Sequence, residues 1–178
     1  MASRVSYNGD RGSRPFDYCV GCEELWTVNY NGEGGGTGIY PGNSNWRSST
    51  DGPQGSWETW IGRRGDIARA MFYMDVRYEG GGSEPDLVLT DNRADIVAAD
   101  LPVAYMGMLS VLLEWHVQDP PNAAEMLRND VVASYQGNRN PFIDHPEWAE
   151  CIFLGAGCGL FINGFESGDT TFWSAVVQ

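Results

Sequence analysis

Residues 136–153 read QGNRNPFIDHPEWAECIF. This stretch decides how the C-terminal half folds, because it carries a helix stop and a helix start close together. Gly137 follows an apolar-periodic segment and is placed as the left-handed residue that ends a helix. GNRNPF is then a loop. DHPE opens the next helix, with Asp144 as N-cap, Pro146 just inside and Glu147 at the third position, a capping-box arrangement. On this reading His145, one of two histidines, is the first residue of a helix and half-exposed. It is not evidently the base of a nucleophile.

Working towards the N-terminus, DPPNAAEMLRNDVVASYQG predicts a helix capped by Asp119 with two prolines in its first turn. Ala124, Leu127, Val131 and Tyr135 form its apolar stripe, and Arg128, Asn129 and Gln136 lie off it. DLPVAYMGMLSVLLEWHVQ is apolar almost all round, which predicts one central buried helix capped by Asp100, with Pro102 in its first turn. In RRGDIARAMFYMDVRY, Ile67, Met71, Met74 and Tyr78 recur at helical spacing, giving a helix of about 14 residues ended by EGGGSEP.

Residues 1–60 are rich in Gly, Asn, Ser, Trp and Tyr. They read as an irregular region with short strands at 25–30. Its Trp26, Trp46, Trp57 and Trp60 read as loop anchors, with a sugar site as the alternative. The tail LGAGCGLFINGFESGDTTFWSAVVQ is Gly-rich and reads as a short strand pair or an extended terminus.

A chain of 178 residues, 42% apolar, fits one domain with a real core. No apolar run reaches the length of a membrane span. The opening residues MASRVSYNGDRGSRPFDYC hold no apolar leader, so the expectation is a cytoplasmic protein or a true N-terminus lying upstream. The net charge of −13 argues against a general nucleic-acid binder. The charge is uneven: residues 1–64 carry six Arg against seven acids (−1), and residues 65–178 carry five against seventeen (−12). A polyanion would therefore meet the N-terminal third, or a bound cation would offset the repulsion. There is no Lys; genomic composition explains this as readily as a use for the planar guanidinium fork.

Cys19, Cys22, Cys151 and Cys158 read as one or two disulfides of an exported protein. Only the first pair has zinc-like spacing, and its CxxC lacks a thioredoxin-like context. No P-loop, HExxH or GxSxG is present. Two histidines cannot build a multi-His metal site. His116 with Glu114, or His145 with Glu147, would be the catalytic pairings, and core or helix-end roles are preferred for both.

Three segments carry a resemblance: NGDRGSRPFD, RGDIARAMFYMDVRYEG and LLEWHVQDPPNAAEMLRNDVVASYQGNRNPFIDHPEWAECIF. Together they resemble the bacterial endonuclease I family, secreted or periplasmic nonspecific nucleases of the His-Me finger (ββα-metal) superfamily. The likeness covers residues 4–17, 62–79 and 112–153. It implies hydrolysis of DNA, and also RNA, using Mg²⁺ or a similar divalent cation. A His would act as general base, and a neighbouring Glu and a downstream Asn would hold the ion.

Asn8 matches that Asn, so the resemblance makes it the metal ligand. Arg11 would lie near phosphate or in an ion pair, with Asp10 as the alternative partner. The Glu-His segment should precede Asn8, but only seven residues do so and none is His or Glu. The general base is therefore expected to be absent, and the isolated chain weakly active or inactive.

Arg63, Arg64, Arg128 and Arg139 are further phosphate-contact candidates, with Asn138 or Asn140 assisting. For QGNRNPFIDHPE a scaffold role is preferred. The expected fold is α+β and predominantly α-helical: the C-terminal helical part of a ββα-metal nuclease with an irregular Gly/Trp-rich lobe. Residues 1–153 would form the domain, 18–61 a variable insert and 154–178 a tail. A monomer that acts on nucleic acid without a membrane is expected. The alternative is a non-catalytic secreted module that binds a glycan or a protein.

Overall fold

The computed structural model describes residues 9–26, 44–82, 84–97 and 102–156. Within them the fold is α+β. Three strands, β1 (Glu23–Trp26), β2 (Ser44–Ser48) and β3 (Ser56–Glu58), form an antiparallel meander. The region expected to be irregular is thus a small sheet, and residues 27–43 lie outside the description. The 49–55 turn behaves as its composition predicts. Ser48 Oγ accepts from the backbone N–H of Thr50 and Asp51. Gly55 sits at φ +74°, where a Cβ would lie 2.0 Å from Ser48 O. Trp57 is an anchor: it is 1% exposed and bridges Phe16.

A 3₁₀ turn (Ile61–Arg63) leads into α1, Arg64–Arg77, the expected 14-residue helix. Its deepest face is Gly65, Ala68, Arg69 and Phe72, with Ile67 and Met71 packed at the margin. The following segment is not merely a helix end. β4 (Glu79–Gly81) and β5 (Glu84–Leu89) pair antiparallel, and β6 (Val103–Met106) joins β5 in parallel.

The single helix expected over 100–118 is therefore two elements. Asp86 N–H donates to Pro102 O, and the β5–β6 register continues to Leu89↔Met106. Gly107 O and Met108 N–H both pair with the Phe16 backbone. With these groups committed to neighbours, no helix can run through them. The helix proper, α2, is Leu109–Gln118, and its first turn is capped from outside by Asp91, which accepts from Ser110 N–H. Asp100 lies outside the described residues.

α3 spans Ala123–Gln136 and is capped by Asn122, whose side chain accepts from Ala124 and Glu125 N–H. Asp119 does not cap it, because its carboxylate accepts from Gly65 N–H and its carbonyl from Arg69. The stripe Leu127, Val131 and Tyr135 faces outward, and the buried residues are Glu125 and Asn129.

Gly137 ends α3 at φ 82°, as expected. A short α4 (Pro141–Asp144) follows, capped by Asn140, and then α5 (Trp148–Leu154). Asp144 thus ends a helix instead of starting one, and His145 is that helix's C-cap. Phe72, Leu112, Trp115, Phe142 and Ala149, all fully buried, form the centre of the core between α1, α2, α4 and α5.

Candidate functional site

Asn8 lies outside the described residues, and the segment just after it is firmly built. Residues 9–11 form a helical turn. The Arg14 guanidinium closes it, donating to the carbonyls of Asp10 and Arg11. The same group reaches across to Ser48 O (2.9 Å) and Ser49 Oγ (3.0 Å), tying the turn to β2. Arg11 donates to Arg14 O and lies over the Phe16 ring at 5.0 Å; burial lowers its pKa. Arg47 bridges Asp10 (3.1 Å) and Glu23 (2.9 Å). Asp10 therefore pairs with Arg47, not with Arg11.

The remaining candidate arginines divide by partner. Arg63 pairs with Asp66 at 2.6 Å. Arg64 pairs with Glu58 and lies over the rings of Tyr18 and Trp115. Arg139 grips Asp144 through two 2.6 Å bonds and also meets Asp130. That pairing holds the Asp144 carboxyl below the usual carboxylate range. Arg128 is exposed and in no ion pair among the described residues. Arg11 and Arg14 are bound by neutral oxygens and are in no ion pair among the described residues. The structure thus gathers Arg11 and Arg14 at one place, while Arg63, Arg64 and Arg139 are each matched by carboxylates.

The QGNRNPF loop is a lock. Asn129 Oδ1 accepts from Asn140 N–H (2.9 Å), and Asn129 Nδ2 donates to Asn140 O and Asp144 Oδ1. Asn140 in turn donates to Arg69 O. Asn138 meets the Tyr73 hydroxyl. Beneath this loop lies a group that sequence patterning missed: Arg69, 0% exposed, donates through its Nε to Glu125 at 2.8 Å and through its Nη1 to Asp119 O at 2.8 Å. The signal available was only that Arg69 falls on the Gly65–Phe72 face of a helix read as amphipathic.

The two histidines differ in burial. His116 is buried, with Nε2 2.8 Å from Pro146 O and Nδ1 facing the Arg69 guanidinium. Nε2 therefore donates and Nδ1 accepts, which makes the ring neutral. Burial pushes its pKa below the ordinary 6.5. The sign follows: neutral His116 stabilises fully above the unfolded value, and this is lost as pH falls toward the folded one. The stability advantage of the native chain over His116→Asn should therefore shrink between pH 7.5 and pH 5.5, read by urea unfolding. His145 stacks on Trp148 at 4.4 Å and sits 3.3 Å from Glu147.

Among the described residues, the group of three that could hold an ion is Cys19, Cys22 and Asp51. Cys19 and Cys22 form a disulfide, and soft sulfur does not suit Mg²⁺ in any case. The described donors thus do not fit the cation that the resemblance implies. Cys151 is also disulfide-bonded, and Cys158 lies outside the description. No helix among the described residues is long and apolar enough to cross a membrane.

Comparison with known proteins adds to this geometry. An extracellular ribonuclease of Bacillus amyloliquefaciens is 52% identical over 99 residues, covering 55% of this chain and 32% of that protein. An extracellular ribonuclease of Bacillus subtilis (strain 168) is 50% identical over 99 residues, covering 55% and 33%. The chain thus spans about a third of the length of these relatives. No solved structure matches. Residues 1–147 match the family described as Endonuclease I, with the braced turn at 9–14 and the Asn129–Asn140 lock both inside the match, and the chain belongs to that family.

Proposed function

We propose that this chain is the helical part of an exported nuclease that cleaves phosphodiester bonds of RNA and DNA with little sequence specificity. The observation that carries the reading is the family match over residues 1–147. Arg11 and Arg14, which meet no carboxylate among the described residues, support it, since guanidinium groups suit phosphate. The names of the two relatives support RNA as a substrate and export as the destination. The Cys19–Cys22 disulfide fits an oxidising compartment. A divalent cation such as Mg²⁺, with Asn8 among its ligands, belongs to the proposal through the resemblance alone.

Neither histidine is expected to serve as general base: His116 is buried and held by Pro146 O, and the exposed His145, stacked on Trp148, is read as a helix-end residue. The purified chain should therefore leave supercoiled plasmid and structured RNA intact in Mg²⁺. Robust cleavage that disappears in Asn8→Ala would place a working base inside these residues and overturn this view. Salt-sensitive retention of a short RNA duplex, weakened by Arg11→Ala or Arg14→Ala, is expected even without cleavage.

A further inference from the structure

We propose that Cys19, Cys22 and Asp51 form a redox-gated Zn²⁺ site: closed as the Cys19–Cys22 disulfide, and open to the metal once that bond is reduced. The inference does not depend on the nuclease reading. The two sulfurs and an Asp51 carboxylate oxygen all lie within 4.8 Å of one another. C-x₂-C spacing is that of zinc-binding thiolate pairs, and a carboxylate is an accepted third ligand. Two sulfurs bound at about 2.3 Å in tetrahedral geometry stand about 3.8 Å apart. Side-chain rotation from Cα atoms 5.8 Å apart supplies that separation.

The third ligand is held in place by its own hydrogen bonds. Ser56 Oγ, on a residue with no exposure, donates to Asp51 Oδ2 at 2.5 Å and lies 3.7 Å from Cys19 Sγ. Asp51 N–H donates to Ser48 Oγ, and Asp51 O accepts from Arg93. One carboxylate oxygen is thus oriented by a buried hydroxyl, the kind of outer partner that fixes ligating carboxylates.

The site is also reachable. Cys19, Gly21, Cys22, Trp46 and Glu58 line an open cavity of about 520 Å³. Gly21 turns the loop at φ +65°. Glu58 does not complete the ligand set, because its two oxygens are taken by Cys19 N–H and Arg64. Three protein ligands leave a fourth position for water or an incoming thiol.

The chemistry balances. A dithiol reductant gives up two electrons and two protons to the Cys19–Cys22 bond, which breaks to two thiols, and the dithiol closes to its own disulfide. Zn²⁺ then displaces both thiol protons and binds two thiolates and Asp51. Bound metal blocks the sulfurs, so reoxidation requires its release.

The test uses the whole chain, with Zn²⁺ measured by equilibrium dialysis and Co²⁺ as a visible-absorption probe of tetrahedral thiolate ligation. The phosphine-reduced chain should take up one Zn²⁺ per molecule and give an intense Co²⁺ spectrum, and the oxidised chain should do neither. Cys22→Ser, reduced, should lose both signals. Asp51→Asn keeps both cysteines and an acceptor oxygen for Ser56, and should weaken Zn²⁺ binding by about tenfold or more. Equal uptake by oxidised and reduced chains would overturn the proposal. So would undiminished uptake by reduced Cys22→Ser, which would place the metal on other thiols. Unchanged affinity in Asp51→Asn would remove Asp51 from the site.

Discussion

Arg69→Ala is expected to destabilise the protein by about 3–5 kcal/mol, the cost of leaving one partner of a buried ion pair alone. The Arg69 side chain has no exposure and that of Glu125 is 3% exposed. Removing the guanidinium strands the Glu125 carboxylate, and it also frees the Asp119 carbonyl that Arg69 holds at the α2–α3 junction. Urea unfolding followed by circular dichroism measures the loss. The double variant Arg69→Met with Glu125→Leu should recover much of it, because apolar groups of similar volume replace buried ion pairs at little cost. A loss below about 1 kcal/mol in Arg69→Ala would mean that water reaches the pair and that it behaves as a surface contact.

Asn129→Ala should cost about 2–4 kcal/mol. Its side chain satisfies both the N–H and the C=O of Asn140 and donates to Asp144. Without it, the Asn140 N–H loses its partner at the entry to α4, at about 1–3 kcal/mol for a buried group left unsatisfied, and the bonds to Asn140 O and Asp144 add about 1 kcal/mol, since Asn140 O keeps Ile143 N–H. Arg128→Ala, one position away on the exposed side, is the control and should stay within about 0.5 kcal/mol. Equal effects at the two positions would show that the loop is not held from α3.

These two residues mark where sequence reading succeeds and where it stops. α1 was legible because Ile67, Met71 and Met74 repeat at helical spacing and glycines follow. The stop at Gly137 was legible because a left-handed residue is needed there. The 100–118 segment was not: apolar residues on every side give no period to separate strand from helix. The parallel partner that makes 103–106 a strand comes from β5. Caps failed for a related reason. Asp119 and Asp144 are good cap residues locally, but Gly65 and Arg139 claim their carboxylates. α3 was read inside out, because a stripe of Leu127, Val131 and Tyr135 suggests a core face. The burial of Arg69 on α1 instead draws the charged side of α3 inward.

Of the candidate site, the scaffold role of QGNRNPF was legible from its Asn content. The charge balance of the arginines was not: the partners Asp66, Glu58, Asp130 and Asp144 all lie within nine residues, but spacing alone does not say which carboxylate turns to which guanidinium. Arg139 looked free in sequence and is gripped by Asp130 and Asp144. Arg14 was not singled out at all, and it proves to be the clamp that fastens the turn after Asn8 to β2.

The inward-facing polar side of α3 has a thermal consequence. Exposing apolar surface raises heat capacity on unfolding, and exposing polar surface lowers it. Detaching α3 uncovers Glu125 and Asn129, whereas opening the Phe72–Phe142 centre uncovers rings. The apolar centre therefore loses strength on cooling, as hydrophobic burial does, while the grip on α3 changes little. In the cold, α3 should hold on while the ring cluster beneath it loosens first.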